Sequence, residues 1–563
     1  GLRSLRLGAA SLTTLLVGLV WTAGLAAVLV GQLNIISVAF AVLFVGLGID
    51  FAIHFVLRAR ESGGTGAQPL RRAGGGSGCA ILLGALCAAI GFLGFWPTAY
   101  RGLAELGLIS AVGMVVAAAA SLTLLPAILA AMGWRRRQGA PRDLPLARRV
   151  VRHRRGVLAA LGLLGLAGAA LAPGARFDFN PMNLRDADSP AMQLFDELAA
   201  EPQTTPYTVQ LLAADADAAA ALAARFREVG GFGSVRTLAS YVPAEQQRKA
   251  ELLADAGFFL GPVLGGVASP APLDAAQQDA ALADLSAALD ALASRGGAVG
   301  KEATRLQAAL VDPGALDPEA LERRWTVYLP ALFRLLGAAV AAEPFGRDDL
   351  PQELTDRWIA PDGRARVEVR PASAMQDNAA IRRFAAAALD VTPRATGVPV
   401  VIHKAAEVVL QAFLQATAIA AAGMLLVLAA TLRRTRDVLL ALAPLPLAAV
   451  LTLGTAALFG LALNFANIIV LPLLLGLTVS SGIHLVLRWR QEGDAAAALA
   501  SSTPRSVLLS VLTTLAAFGS LALAEHPGMS SMGTLLTIAV LQVVLAVLLG
   551  LPALLAGARP GPR

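Results

Sequence analysis

Cysteine is nearly absent: Cys79 and Cys87 are the two in 563 residues, and both fall in one apolar run. Thiols so few and so placed exclude a disulfide framework and read as small core residues of a membrane helix. Charge is also scarce, at 15% of residues, and aromatics make up 5%. The signatures of catalysis are missing. GGGSG at 74–78 lacks the Lys and Ser/Thr of a phosphate-binding loop. Ser, His and Asp occur outside any nucleophile-elbow context, and no Cys/His spacing suggests a metal site. An enzyme is therefore not expected, nor a metal or organic cofactor. The chain opens at Gly1 without a charged-then-apolar leader, so no cleavable signal peptide is expected.

What is abundant is uncharged apolar sequence. Hydrophobic residues are 56% of the chain and mean hydropathy is +0.65, where soluble domains are about 45–50% apolar. A membrane span needs about 20 apolar residues. The runs predict ten: Gly8–Gln32, Leu33–Leu57, Gly78–Trp96, Leu103–Gly133, a short Gly156–Pro173, then Val408–Leu432, Val438–Leu461, Leu463–Leu487, Val507–Ala524 and Met532–Ala556. The fold class is thus a polytopic α-helical membrane protein.

Charge is distributed by region. Residues 173–407 hold 22 basic and 31 acidic side chains, whereas the remainder holds 24 basic and 8 acidic. The basic excess lies in loops between spans, which points to membrane orientation and not to nucleic acid. Between Trp134 and Arg155 there are nine Arg and one Asp. The positive-inside rule places this loop in the cytoplasm. The loops marked by Arg58, Arg60, Arg71 and Arg72, by Arg433, Arg434 and Arg436, and by Arg488 and Arg490 go with it. Residues 173–405 then lie outside, in a periplasm if the cell has two membranes. The dominance of Arg over Lys suits a GC-rich bacterial genome, so a bacterial inner membrane is the expected location.

The outer segment reads as α+β. Strands are predicted at 205–215, 234–242, Arg364–Arg370 and Arg394–Ile402, with helices at Ala218–Val229 and Asn378–Leu389. Two separated β-α-β units suggest a split, ferredoxin-like sheet. The Ala- and Leu-rich stretch at about 245–345 between them reads as helices.

The chain also repeats itself. LNIISVAFAVLFVGLGIDFAIHFVLR at 33–58 aligns without a gap on LNFANIIVLPLLLGLTVSSGIHLVLR at 463–488, an offset of 430 with ten identities in 26 positions. Asn34/Asn464, Gly46/Gly476, His54/His484 and Arg58/Arg488 are among them. After a four-residue slip, Gly107 answers Gly533 and LPAILA at 125–130 answers LPALLA at 551–556. The halves share one orientation, a parallel internal repeat. Val408–Leu432, Gly156–Pro173 and the outer segment have no counterpart in the first half, so an N-terminal span, a first outer domain and one more span are expected to be missing.

The motifs GLGIDFAIHFVLR at 46–58 and IVLPLLLGLTVSSGIHLVLR at 469–488 resemble the fourth and tenth helices of the RND (resistance–nodulation–division) superfamily of proton-driven exporters. RFDFNPMNLRDADSP at 176–190 is similar to the hopanoid-associated members of its lipid-exporting, MmpL-like branch. The resemblance covers essentially the whole chain. It implies membrane helices equivalent to the third to sixth at 1–133, a basic cytoplasmic linker at 134–155, a further helix at 156–172 and a porter-like periplasmic domain at 173–405. Five helices at 406–556 and a cytoplasmic tail at 557–563 complete it. The implied activity is export of a hydrophobic lipid, a hopanoid, toward the outer membrane, with the proton gradient as energy source and no cofactor. Its alternatives are efflux of small amphiphilic drugs and a non-transporting sensor of sterol-like lipid or secretion accessory. A homo-oligomer is left open.

Asp50 is the candidate coupling group. It sits about eight residues, roughly 12 Å, inside its span. An ionised carboxylate there costs roughly 2.5–3.5 kcal/mol, which protonation relieves, so it can carry a proton. The plainer reading is a structural polar residue capped by a neighbour. Gly46 and Gly48, with Gly476 in the other half, permit close helix approach. His54, at i+4, shares Asp50's helix face, and His484 is its partner; both could instead anchor at the membrane interface. Ser480 stands at the position of Asp50, with Ser481 beside it. Relatives often carry a second acid there, so its absence puts a two-carboxylate relay in doubt and suggests that the serines hydrogen-bond protonated Asp50. Asn34, Asn464 and Asn467, at the outer helix ends, read as caps.

Overall fold

A computed structural model describes residues 4–134, 145–264, 274–310, 324, 326–375 and 377–558. Ten helices are long and apolar enough to cross a membrane. In the first part of the chain these are α1 (Leu5–Leu29), α2 (Phe40–Glu61), α3 (Gln68–Leu93), α4 (Arg101–Ala131) and α5 (Arg154–Gly174). Next come β1 (Phe177–Asp178), β2 (Val209–Ala213), α6 (Ala216–Val229), β3 (Phe232–Arg236), β4 (Ala365–Pro371) and α7 (Asn378–Val391). The last part holds α8 (Val398–Leu432), α9 (Thr435–Leu458), β5 (Leu463–Asn464), α10 (Val470–Glu492), α11 (Thr503–Ala522) and α12 (Pro527–Leu555). All ten sequence-predicted spans are present. In hydrocarbon the backbone must satisfy its own hydrogen bonds, so each apolar run closes as a helix.

Contacts divide the chain into two compact units, residues 1–210, 230–234 and 369–563 in one and 211–229 and 235–368 in the other. In the first unit α2 and α10 are central. Of their apolar windows, 72% and 89% are buried, against 28% for α1 and 11% for α5. Packing about them is reciprocal: α10 lies on α3, and α2 lies on α11. A Cβ at Gly46 would meet Phe518 at 3.3 Å, and one at Gly476 would meet Ala88 at 3.3 Å. Phe518 and Ala88 are themselves 430 residues apart, so the two contacts exchange under the sequence alignment. Gly48 instead faces Ala117 and Leu15, each of which a Cβ there would meet at 3.3 Å.

Both central helices begin later than their apolar runs. Asn34 Oδ1 accepts from the Ser37 amide, and Asn464 Oδ1 from those of Ala466 and Asn467, so the chain turns before each helix starts. The asparagines also reach a neighbour. Asn34 Nδ2 donates to Glu105 at 2.6 Å, and Asn464 Nδ2 and Asn467 Nδ2 each donate to Ser531 at 2.9 Å. Glu105 and Ser531 precede Gly107 and Gly533 by two residues, so these contacts follow the slipped alignment. Cys87 is buried as expected, but Cys79 lies on the exposed side of α3.

The second unit contains α6 and, among others, the helices Gln246–Leu264, Ala275–Ala293, Gly297–Leu310 and Leu329–Val340, as the stretch at about 245–345 predicted. The strands differ from expectation. Strands β2, β4 and β3 form a sheet in that order. The second predicted strand, 234–242, starts within β3 but ends in a 3₁₀ turn at Leu238–Tyr241, where Ser240 accepts from the Thr237 amide. Arg394–Ile402 is not a strand. Thr396 makes one antiparallel bridge to Gln210, and from Val398 the chain is helix, with Gly397 as N-cap and Pro399 in the first turn. Pro is suited to a first turn, and the 35-residue helix that follows overrides the β-branched run. Gly397 is required there: its φ is +111°, and a Cβ would meet Thr208 O at 2.4 Å. Within the basic linker, 145–152 is helical, while 135–144 and residues 559–563 of the tail lie outside the described residues.

Candidate functional site

Helices α2 and α10 each bring a histidine to the same point. The His54 and His484 rings stack, with centroids 3.8 Å apart and 12° between planes. One turn back on α2, Asp50 Oδ1 lies 3.1 Å from His54 Nε2. That is an ion-pair distance, at an angle that leaves Oδ1 without a formal hydrogen bond. All three side chains are buried, at 4–5% exposure. The interface-anchor reading of the histidines therefore fails. The i, i+4 spacing places Asp50 and His54 on one face, and the glycines let the neighbouring helices close on it.

Ser480 lies across from Asp50 as the repeat predicts, but it does not bond to it. Among the described residues Ser480 Oγ has no hydrogen-bond partner, so it does not donate to the carboxylate. Ser480 Oγ points at α3, where a Cβ on Gly84 would come within 2.6 Å of it. Asp50 and Ser480 instead share the lining of a cavity of about 20 Å³, with Gly91, Met114, Pro472 and Gly476 among the other walls. That volume holds about one water. Ser481 is buried beside it but does not line it.

Sequence reasoning missed two polar neighbours on α11. Ser510 lies near the Asp50 carboxylate, and Thr514 Oγ1 donates to Gly46 O at 2.7 Å. Neither has a signal in sequence, because an isolated hydroxyl in an apolar helix is common; only the α2–α11 packing selects them. The group combines a carboxylate and two imidazoles, side chains of a kind that can exchange protons. Two imidazolium rings stacked at 3.8 Å in a low-dielectric interior would repel strongly. No group of three or more His, Cys, Asp or Glu that could hold a metal occurs among the described residues.

A model of the MMPL family matches residues 2–157 and 274–560. The chain belongs to the MMPL family. The resemblance to the MmpL-like, hopanoid-associated branch holds for this MMPL chain along nearly its full length. It is 37% identical to the hopanoid transporter HpnN of Rhodopseudomonas palustris over 551 residues, covering 96% of this chain and 63% of that one. It is 38% identical to HpnN of Burkholderia multivorans, covering 98% and 64%. The chain thus spans less than two thirds of these relatives. Among solved structures, SecDF of Thermus thermophilus, a translocon-associated membrane protein, matches with a TM-score of 0.52 at 13% identity, covering 97% of this chain and 58% of that one. SecDF in its super-membrane-facing form gives 0.51 at 14%. At that identity the likeness is one of fold, and it agrees with the helix bundle described above. The chain is a multi-pass membrane protein.

Proposed function

We propose that this protein exports a hydrophobic lipid, a hopanoid, from a bacterial inner membrane toward the outer membrane, driven by proton entry through Asp50, His54 and His484. The observation that carries the reading is the buried Asp50–His54–His484 group, in which the two helices matched by the repeat meet ring to ring. A titrating group at a junction between halves can bias how those halves sit, which is what a coupled exporter requires. The cargo follows from the hopanoid transporters of R. palustris and B. multivorans. On this reading the proton gradient supplies the energy, no cofactor takes part and no reaction is catalysed. Residues 173–405 are periplasmic, and the arginine-bearing helix ends face the cytoplasm. The strand order β2-β4-β3 and the Gln210–Thr396 bridge support a ferredoxin-like outer domain whose fourth strand has shrunk to one pair. The reciprocal contacts at offset 430 support two halves related about an axis along the membrane normal.

The test is lipid transfer from vesicles holding the reconstituted protein, with and without an imposed proton gradient. Hopanoid release should require the gradient and vanish in Asp50→Asn while the protein still assembles. Undiminished gradient-driven transfer by Asp50→Asn would sink the reading. Gradient-driven movement of small drugs but not hopanoid would favour drug efflux, and lipid binding indifferent to the gradient would favour a sensor.

A further inference from the structure

Glu61 ends α2 and is met from three directions. Arg58 donates from Nη1 to Oε2 at 2.8 Å, one turn back on the same helix. Arg488 of α10 donates from Nη2 to Oε1 at 2.6 Å. Ser502, the N-cap of α11, donates from Oγ to Oε2 at 2.8 Å and from its backbone amide to Oε1 at 3.4 Å. One carboxylate therefore ties together α2, α10 and the start of α11.

The two arginines are partners at offset 430, and each follows the stacked histidine of its helix by four residues. The position aligned with Glu61 is Gln491, which is exposed and turned toward Gly76 O at 3.5 Å. The first half supplies the acid here as it does at Asp50, and the second half supplies a neutral residue at both levels, Ser480 and Gln491. Arg488 has a second acid, Glu492 at 3.0 Å, but on its own helix, so that contact bridges nothing. The Arg488 side chain is 9% exposed and Glu61 19%. Charge-assisted bonds in such a partly dry setting are stronger than surface pairs, and leaving either charge alone there is costly.

We propose that Glu61 is a positioning residue that clasps the cytoplasmic ends of the two histidine-bearing helices and closes the proton site on that side. With the clasp made, α2 and α10 are held together two turns beyond the stacked ring on α2 and one turn beyond it on α10, and water from the cytoplasm does not reach Asp50. Release of Arg488 lets the helices part and opens that route. This rests on the proton-coupled reading above.

The experiment measures proton influx into proteoliposomes carrying an internal pH dye, under an imposed gradient and without lipid cargo. Glu61→Gln is expected to raise influx about tenfold, the scale on which two coupled arrangements are biased by one such contact. It also lowers the hopanoid exported per proton. Arg488→Gln should do the same, and the double variant should leak no more than either single one, because both remove one link. Asp50→Asn added to Glu61→Gln should abolish the leak. An assembled Glu61→Gln protein with unaltered influx overturns the clasp, as does a leak that survives Asp50→Asn. Where Glu61→Gln does not assemble, Glu61→Asp keeps the charge, shortens the reach, and decides by the same readout. The coupled reading is judged separately: its failure shows as gradient-driven export that persists in Asp50→Asn with Glu61 intact.

Discussion

The imidazoles of His54 and His484 lie face to face at 3.8 Å, one from each of the two most buried helices. Face-to-face contact is not the arrangement that neutral aromatic rings prefer. Here helix packing imposes it, with the Asp50 carboxylate 3.1 Å from His54.

Shape and chemistry separate at this stack. His484→Phe keeps a ring of similar area and removes both nitrogens. The protein should assemble with a melting temperature within a few degrees of wild type, since ring pairs contribute only about 0.5–1.5 kcal/mol. Gradient-driven transport should fall by about a hundredfold, in the range of lost proton-transfer groups. His484→Ala should lose both. Equal loss of stability in the two variants would show that the ring nitrogens hold the fold and do not serve transport.

Ser480 and Gly84 make a second, independent test. A Cβ on Gly84 would sit 2.6 Å from Ser480 Oγ and 3.7 Å from His484 Nε2. Gly84→Ala should therefore destabilise by about 1–3 kcal/mol through overpacking. Ser480→Ala removes the offending oxygen, which has no hydrogen bond to lose. The double variant should regain most of the stability lost by Gly84→Ala, as thermal unfolding in detergent would show. Additive losses would mean that the backbone, not the hydroxyl, limits the space.

Much of this was readable in the sequence. Apolar run length is enough to locate every span, because hydrocarbon leaves helix as the one open-chain solution. The gapless alignment matched His54 with His484, and the four-residue slip matched Gly107 with Gly533. What was not readable depends on side-chain direction across packed helices. Ser480 aligns with Asp50 yet turns toward Gly84, and Glu61 reaches Arg488, 427 residues away. The segment at 394–402 failed for another reason. Its valines favour strand locally, but Gly397 and Pro399 start a helix long enough to decide the matter.

The FNPMNL stretch offers a pH-dependent check outside the spans. Asn180 Nδ2 donates to the Tyr207 hydroxyl at 3.0 Å, and Tyr207 is 3% exposed. Burial raises its phenol above the ordinary 10.0, and the nearby Asp196 and Asp178 charges add to this. A phenol raised in the folded state contributes stability that is complete below pH about 10 and is lost as pH rises through the folded value. Melting temperature should decline above that point. Tyr207→Phe should flatten the decline and cost about 1 kcal/mol at neutral pH for the lost hydrogen bond. An identical alkaline limb in the Phe variant would assign the loss to other groups.

Gly107 and Gly533 carry the final prediction, since the slipped alignment equates them and the structure gives both the same task. A Cβ at Gly107 would lie 2.4 Å from Phe92 O, and one at Gly533 would lie 2.3 Å from the Ala522 amide nitrogen. In each case the obstacle is backbone, which cannot rotate aside as a side chain can. Gly107→Ala or Gly533→Ala must push whole helices apart and should cost about 3 kcal/mol or more, at the upper end of overpacking. Neither variant should be recovered as assembled protein in detergent. Gly8→Ala and Gly156→Ala meet nothing within 4 Å and should be neutral or slightly stabilising, because Ala is the better helix former. Size-exclusion profiles of the four variants decide it: monodisperse Gly107→Ala or Gly533→Ala protein would contradict the close approach of these helices.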